Sequence, residues 1–352
     1  MNTQPMPTFE KLPTQYYPEW GFRPKTVMFP NPMNFIFLNG GMGDYICWMP
    51  AIRWLASECP WILGTLVAPD YFRPLAEYWL KEFPHWKYAR YEDTKNNPQF
   101  DQHPYRGPLV LHQQALNATG GHLLTCGWVY MTNKEKAPEG WDTYPVLKAA
   151  DLEAVSLPIE AKPLEGKNFA IITTGMTTDS RKVPGKYWNP IIKHVVDRGL
   201  IPVFLGKANV VTGNARNIHT TWDDDIDFKL GVDLRDKTEI FQAAALIHKA
   251  KMIIGHDNGL LHLAGCTDTP IVFGYNIASP EHREPRRKAG KVFNVVVTPE
   301  ELVCSFCQSR TNFVIGYNFQ QCFYGDLKCI DMLFANDGER WKKQIDLALG
   351  VL

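Results

Sequence analysis

Phe35-Ile36-Phe37-Leu38-Asn39-Gly40-Gly41-Met42-Gly43-Asp44 is the stretch whose reading sets the fold class. Its first four residues form a short apolar run ended by turn formers, which predicts a buried strand, and the residues from about Tyr45 to Ser57 read as a helix. A strand that passes through glycines into a helix is the opening unit of an α/β domain with a largely parallel sheet. The glycines permit positive φ and close backbone approach, and the start of the helix offers free N–H groups to anions or hydroxyls. Asp44 stands at the helix entrance, where capping is the commoner use of an aspartate and proton transfer the rarer one. A third glycine and a following acidic residue at the dinucleotide-fingerprint offsets are missing, which argues against a nicotinamide enzyme.

Outward from this unit the alternation continues. Ile62–Val67 and Leu109–Leu111 read as strands and Phe72–Glu82 as a helix, and a polar, proline-bearing linker follows at 152–167. A second series then has strands at Phe169–Thr174, Ile201–Leu205, Met252–Ile254 and Ile271–Phe273, with helices at Tyr187–Arg198 and Thr238–Ala250. A chain of 352 residues has room for two domains. The expected architecture is α/β, with two facing Rossmann-like domains and a site in the cleft at the carboxyl ends of their strands. Seven prolines in residues 1–32 forbid a helix or central strand and predict an extended strap. The expected division is this strap, a first Rossmann-like domain at 33–160, a second at 161–299, a cysteine-rich finger at 300–335, and a terminal part at 336–352 with a closing helix over Glu339–Leu349.

Lys plus Arg equals Asp plus Glu at 37 each, so the chain lacks the overall basic footprint of a dedicated nucleic-acid binder. The local basic run of His282, Arg283, Arg286, Arg287, Lys288 and Lys291 reads as a solvated loop. There is no basic start followed by an apolar run and cleavage site, and no apolar stretch of about 18 residues, so a cytoplasmic protein without a spanning helix is expected. Cys47, Cys59, Cys126 and Cys266 lie among apolar neighbours and read as reduced, buried thiols.

The second domain carries two further polar turns. After the strand at Met252, Gly255-His256-Asp257-Asn258-Gly259 leads into a helix at Leu260, and the N–H groups from Asn258 to Leu261 are candidates to hold a diphosphate. His262 lies one turn in, placed for the same phosphates or the sugar, although an ordinary helix histidine satisfied by backbone is the usual case. The loop from Thr173 to Lys182 joins hydroxyls, Gly175 and two cations, and Arg181 or Lys182 would neutralise a leaving diphosphate where no metal does so. His112, Gln113, Gln114 and His122 are candidates for acceptor contacts in the first domain.

Three motifs together resemble a known family. Gly-Met-Gly-Asp followed by Trp48-Met49-Pro50-Ala51-Ile52-Arg53, then Lys182-Val183-Pro184 with Tyr187-Trp188, then Asp257-Asn258-Gly259-Leu260-Leu261-His262-Leu263-Ala264 with Pro270, are similar in kind and order to the motifs of the heptosyltransferases, glycosyltransferase family 9. The resemblance implies a GT-B fold and an inverting transfer that needs no catalytic metal. It implies Asp44 as general base and Lys182 as the phosphate contact. On the donor side it implies the Asp257–His262 segment; Gly43, Thr174, Gly175, Arg181, Asp257, Asn258, Gly259, Leu260 and His262 are the expected donor-binding residues. The partners implied are a nucleotide-diphosphate sugar, ADP-linked first, and a saccharide or other hydroxyl acceptor. The chain departs from the family pattern at Asn258, where a hydroxyl residue is usual, at Val183, where an aromatic is common, and at Phe273-Gly274-Tyr275-Asn276, where Gly-Pro-Thr is commoner.

Cys304, Cys307, Cys322 and Cys329 form a separate cluster in the sequence, and four thiolates suit a tetrahedral structural Zn or Fe. The first pair has ligand spacing while the second is wide, so four free thiols remain the alternative. A nucleotide-sugar epimerase of similar fold and a nucleic-acid-modifying or nucleic-acid-binding relative are the competing readings of the whole chain.

Overall fold

The computed structural model describes residues 33–38, 41–94, 104–108, 122–132, 137–175, 179–181, 183–208, 212–213, 217–218, 225–310, 322 and 324–351. The expected strap at 1–32 and the expected strand Leu109–Leu111 lie outside the described residues.

In the first lobe, β1 (Met33–Leu38) leads into α1 (Met42–Glu58), followed by β2 (Gly64–Ala68), α2 (Arg73–Leu80), β3 (Trp86–Arg90), β4 (Pro104–Pro108) and α3 (Leu123–Thr132). The four strands form a sheet in the order β3-β2-β1-β4, with every pairing parallel. α1 buries nearly its whole circumference, including Tyr45, Ile46, Met49, Ile52 and Leu55, so it is a central core helix rather than a surface one.

The second lobe is built from β5 (Phe169–Thr173), α4 (Asn189–Asp197), β6 (Ile201–Phe204), the small hairpin β7 (Thr212–Gly213) and β8 (Asn217–Ile218), β9 (Val232–Asp233), α5 (Ile240–Lys249), β10 (Met252–His256), α6 (Gly259–Ala264), β11 (Ile271–Tyr275), β12 (Val292–Val296) and α7 (Ala335–Leu349). Its six-stranded parallel sheet has the order β12-β11-β10-β5-β6-β9. β5, β10 and β11 are buried along their whole length, which is why they appear in the sequence as unbroken apolar runs. β3 and β12, which the sequence reading did not find, are edge strands with mixed exposure: β3 carries no apolar run, and that of β12 is broken by Asn294. β4 is bounded by Pro104 and Pro108, a composition that argues against a strand until its place at a sheet edge is seen.

Within α7, Asn336, Asp337 and Gly338 have left-handed φ of 53°, 55° and 76°, and the regular helix runs from Glu339, as the sequence predicts. Trp341 packs on Trp188 and Phe334, and Arg198 fixes Asp346 with two hydrogen bonds of 2.6 Å, so the chain end is locked onto the second lobe. The lobes meet where α1 packs on α6. Two glycines permit this approach: a Cβ on Gly43 would lie 2.5 Å from the His262 ring, and one on Gly259 would lie 3.1 Å from the Met42 side chain. The chain after α3 also reaches across, with Tyr144 N donating to Arg286 O at 2.7 Å and Leu147 N to Cys266 O at 2.8 Å. Among the described residues no helix is long and apolar enough to cross a membrane.

Candidate active site

The two strand-to-helix turns face each other across the α1–α6 contact. At the start of α1 the N-cap is Gly41, which has no side chain to cap with, and Asp44 in the first turn reaches back so that its Oδ2 accepts the Gly41 N–H at 2.8 Å. Asp44 therefore serves the helix start from inside, as the acidic half of a capping box. Its other oxygen, Oδ1, lies 3.5 Å from Arg283 Nη1, and the side chain remains 21% exposed.

Asp257, at the end of β10, is 3% exposed. Arg181 Nη1 donates to its Oδ2 at 3.1 Å and to its main-chain oxygen at 3.2 Å. Burial alone would push this carboxyl up, but Arg283, Arg181 and His262 outweigh it and hold the group well below the usual carboxylate range. Asn258 caps α6: its Oδ1 accepts from Leu260 N at 3.0 Å and Leu261 N at 3.4 Å, while its Nδ2 donates to Thr173 Oγ1 at 2.8 Å. Two of the four N–H groups expected to meet a diphosphate are thus turned onto the protein's own cap. Asparagine has the reach to do this and to bond β5 at the same time.

His262 is 1% exposed and lies in the seam between the lobes. Its Nδ1 is 2.9 Å from Tyr144 Oη, which is 3.1 Å from Cys47 Sγ, and its Nε2 is 3.7 Å from Asp257 Oδ1. The carboxylate opposite Nε2 favours a proton on that nitrogen, so Nδ1 accepts from Tyr144 and Tyr144 accepts from the thiol. Burial pushes the Cys47 thiol up to about 12 and the Tyr144 phenol well up, which keeps both protonated and makes Cys47 a poor nucleophile. A continuous polar chain therefore joins the first lobe to Asp257.

Thr174 is buried and Gly175 half-buried where the chain leaves β5, next to the Thr173 that holds Asn258. Lys182 lies outside the described residues, as do His112, Gln113 and Gln114. His122 is not available to an acceptor in this arrangement. It is buried, its Nε2 donates to Glu284 O at 2.6 Å and its Nδ1 accepts from Leu124 N at 2.9 Å, and burial brings its pKa down to about 3.

The expected solvated loop at His282 to Lys291 is corrected by the structure. Arg283 is 13% exposed and paired with Asp44, His282 is buried against Ser279, and Arg287 donates to the carbonyls of Thr269 and Thr267. Only Arg286, Lys288 and Lys291 of the run are exposed. Arg283 is the site residue the sequence reading missed. The available signal was Pro280, which opens a short helix just beyond a buried strand and so aims the next turn at the carboxyl ends of the sheet.

Cys304, Cys307, Cys322 and Cys329 form no disulfide and are partly exposed. Cys329 Sγ accepts from Asn276 Nδ2 at 3.7 Å, and burial pushes its thiol up to about 12. Among the described residues no group of three or more His, Cys, Asp or Glu side chains is placed to hold a metal ion. The expected Zn or Fe site is thus not assembled by these residues, and no chemical step is assigned to a metal.

Residues 132–312, just over half of the chain, match the profile of Glycosyltransferase family 9 (heptosyltransferase). This span contains Arg181, Asp257–His262 and Arg283, whereas Asp44 precedes it. Lipopolysaccharide heptosyltransferase 2 of Salmonella typhimurium is 24% identical over 123 residues, 33% of this chain and 33% of that protein, so the alignment spans about a third of the curated relative. Among solved structures, the iron-containing heptosyltransferase TibC in complex with ADP-D-beta-D-heptose has a TM-score of 0.64 at 16% identity, covering 91% of this chain and 77% of that one. TibC comes from enterotoxigenic E. coli. The E. coli ADP-heptose lps heptosyltransferase II has a TM-score of 0.52 at 16% identity, covering 86% of this chain and 98% of that one. These likenesses and the two parallel sheets establish the GT-B fold.

Proposed function

Since the chain belongs to glycosyltransferase family 9, we propose that it transfers a sugar, with inversion and without a catalytic metal, from a nucleotide-diphosphate donor to a hydroxyl acceptor. ADP-heptose is the first donor to consider, because the similar TibC structure contains it. The observation that carries this reading is the meeting of the two turns across the α1–α6 contact, Gly43 against His262 and Met42 against Gly259, with Asp44 one residue on. The first lobe serves the acceptor and the second the donor. Asp44, partly exposed, accepts the proton of the attacking hydroxyl. On the donor side Thr174, Gly175, Asn258, Gly259 and Leu260 form the wall, Arg181 and Lys182 supply positive charge to the departing diphosphate, and Gly43 lets His262 close the seam. Asp257 anchors the Arg181 guanidinium. The unpaired buried thiols Cys47, Cys59 and Cys266 fit a reducing, cytoplasmic setting.

A thermal-shift panel of ADP-, GDP-, UDP- and CMP-linked sugars tests the donor, since a ligand that binds only the native state raises its melting temperature. ADP-heptose is expected to give the largest rise, and a larger rise with another nucleotide would replace it. Loss of turnover in a chelator would overturn the metal-free reading, and conversion of the donor sugar without acceptor would indicate an epimerase. Zinc and iron content of the purified protein decides whether the four clustered thiols hold a metal.

A further inference from the structure

Arg283 contacts the acceptor-side carboxylate and lies in the field of the donor-side one, although it stands in neither helix turn. We propose that Arg283 is a positioning residue for the transfer: its guanidinium fixes the direction of the Asp44 carboxylate and holds it ionised, and Asp257 holds that guanidinium from the second lobe. This rests on the reading of Asp44 as the base.

The geometry carries it. Asp44 is gripped at two points, by the Gly41 N–H on Oδ2 at 2.8 Å and by Arg283 Nη1 near Oδ1 at 3.5 Å. Two holds on one carboxylate constrain its plane, and the side chain stays 21% exposed. Arg283 itself is set rigidly. Its short helix, Pro280–Arg283, follows Ser279, whose N–H donates to Ser309 Oγ at 2.9 Å. The next residue, Glu284, gives its carbonyl to His122 Nε2 at 2.6 Å and its Oε2 to Asn294 Nδ2 at 2.5 Å. Burial would weaken the hold of Arg283 on its proton, but Asp257 and Asp44 keep it charged.

Other described groups near Asp44 are uncharged at neutral pH: Cys47 on α1 and Tyr144 beyond α3 are kept protonated by burial, and the half-exposed Tyr71 before α2 is a phenol that titrates far above neutral. His262 faces Tyr144 and Asp257, and Arg181 donates to Asp257. Arg283 makes contact with Asp44 from across the seam.

The test follows ADP release from ADP-heptose, with water as acceptor, across pH for the full chain and for Arg283→Gln, Arg283→Lys and Asp44→Asn, together with donor KM and melting temperature. A cation beside a carboxylate lowers its pKa, so Arg283→Gln should move the acid limb of kcat upward by about one pH unit. Its kcat should fall about 10- to 100-fold with donor KM little changed, because the base is misaligned while the donor wall is intact. Arg283→Lys, which keeps the charge and loses the planar fork, should retain the position of the acid limb and recover part of kcat. An unmoved acid limb in folded Arg283→Gln overturns the proposal. A loss confined to donor KM also overturns it and assigns Arg283 to donor binding instead. If Arg283→Gln does not fold, an Arg283→Lys variant whose acid limb moves as far as a charge loss would require is equally fatal. Retained turnover with an unchanged limb in Asp44→Asn is a different failure, that of the base reading itself.

Discussion

The turn that opens α1 and the turn that opens α6 are the same local device, a buried strand delivering an acidic residue to the start of a helix, yet the structure uses them differently. At α1 the cap residue is a glycine, so the aspartate inside the helix must supply the cap and keeps one oxygen for Arg283, with 21% of its side chain exposed. At α6 Asn258 caps with its own side chain, and Asp257 before it is 3% exposed and held by Arg181. One carboxylate is left where a reactant can meet it. The other is a buried counter-charge. Solvent access and the number of cations in reach separate the two, rather than the residue type.

Exchanging charges tests that division most severely. Asp44→Asn should lower turnover by about 100- to 10,000-fold, the usual size of a lost general base, with the melting temperature nearly unchanged. Asp257→Asn should do the reverse, costing about 3–5 kcal/mol in denaturant unfolding because it removes the buried carboxylate that Arg181 pairs with. Equal stability losses in both variants would break the comparison. Next in size, Gly43→Ala forces a Cβ to within 2.5 Å of the His262 ring and should cost about 1–3 kcal/mol, as overpacking does. Gly41→Ala is its control, since among the described residues a Cβ there meets only Asp44 Oδ2 at 3.7 Å.

Acid titration sharpens the same contrast. The Asp257 carboxyl is depressed in the folded protein, so its contribution is present above the unfolded value of about 3.9 and is lost as pH falls below it. Wild-type melting temperature should therefore fall more steeply below about pH 4 than that of Asp257→Asn. The smallest effect is expected at the cap. Asn258→Ala should cost about 0.5–2 kcal/mol, and Asn258→Ser, which keeps a capping oxygen, less.

Much of the fold was legible because its signals are local. Apolar runs at β1, β5, β10 and β11, glycines at strand ends and the start of α7 at Glu339 are set by neighbours a few residues apart. The edge strand β3 was not legible because its half-exposed residues are mixed, and in β12 Asn294 interrupts the apolar run. In the site, the sequence offered Asp44 as either cap or base, and the structure puts the cap on one oxygen and leaves the other to a guanidinium. His262 was open between a donor contact and an ordinary helix histidine, and the structure adds a partner that no local pattern shows, Tyr144, 118 residues away.

The sequence by itself determined the two α/β series, the two glycine turns and the presence of an aspartate at each, since backbone hydrogen bonding and hydrophobic periodicity act over short stretches. Only the tertiary structure decided that Arg283, 239 residues from Asp44, is buried beside it rather than solvated with the rest of its basic run. A charge is kept or refused by a low-dielectric interior according to the opposite charges packed around it, and those are brought together by the docking of two lobes that no local pattern encodes.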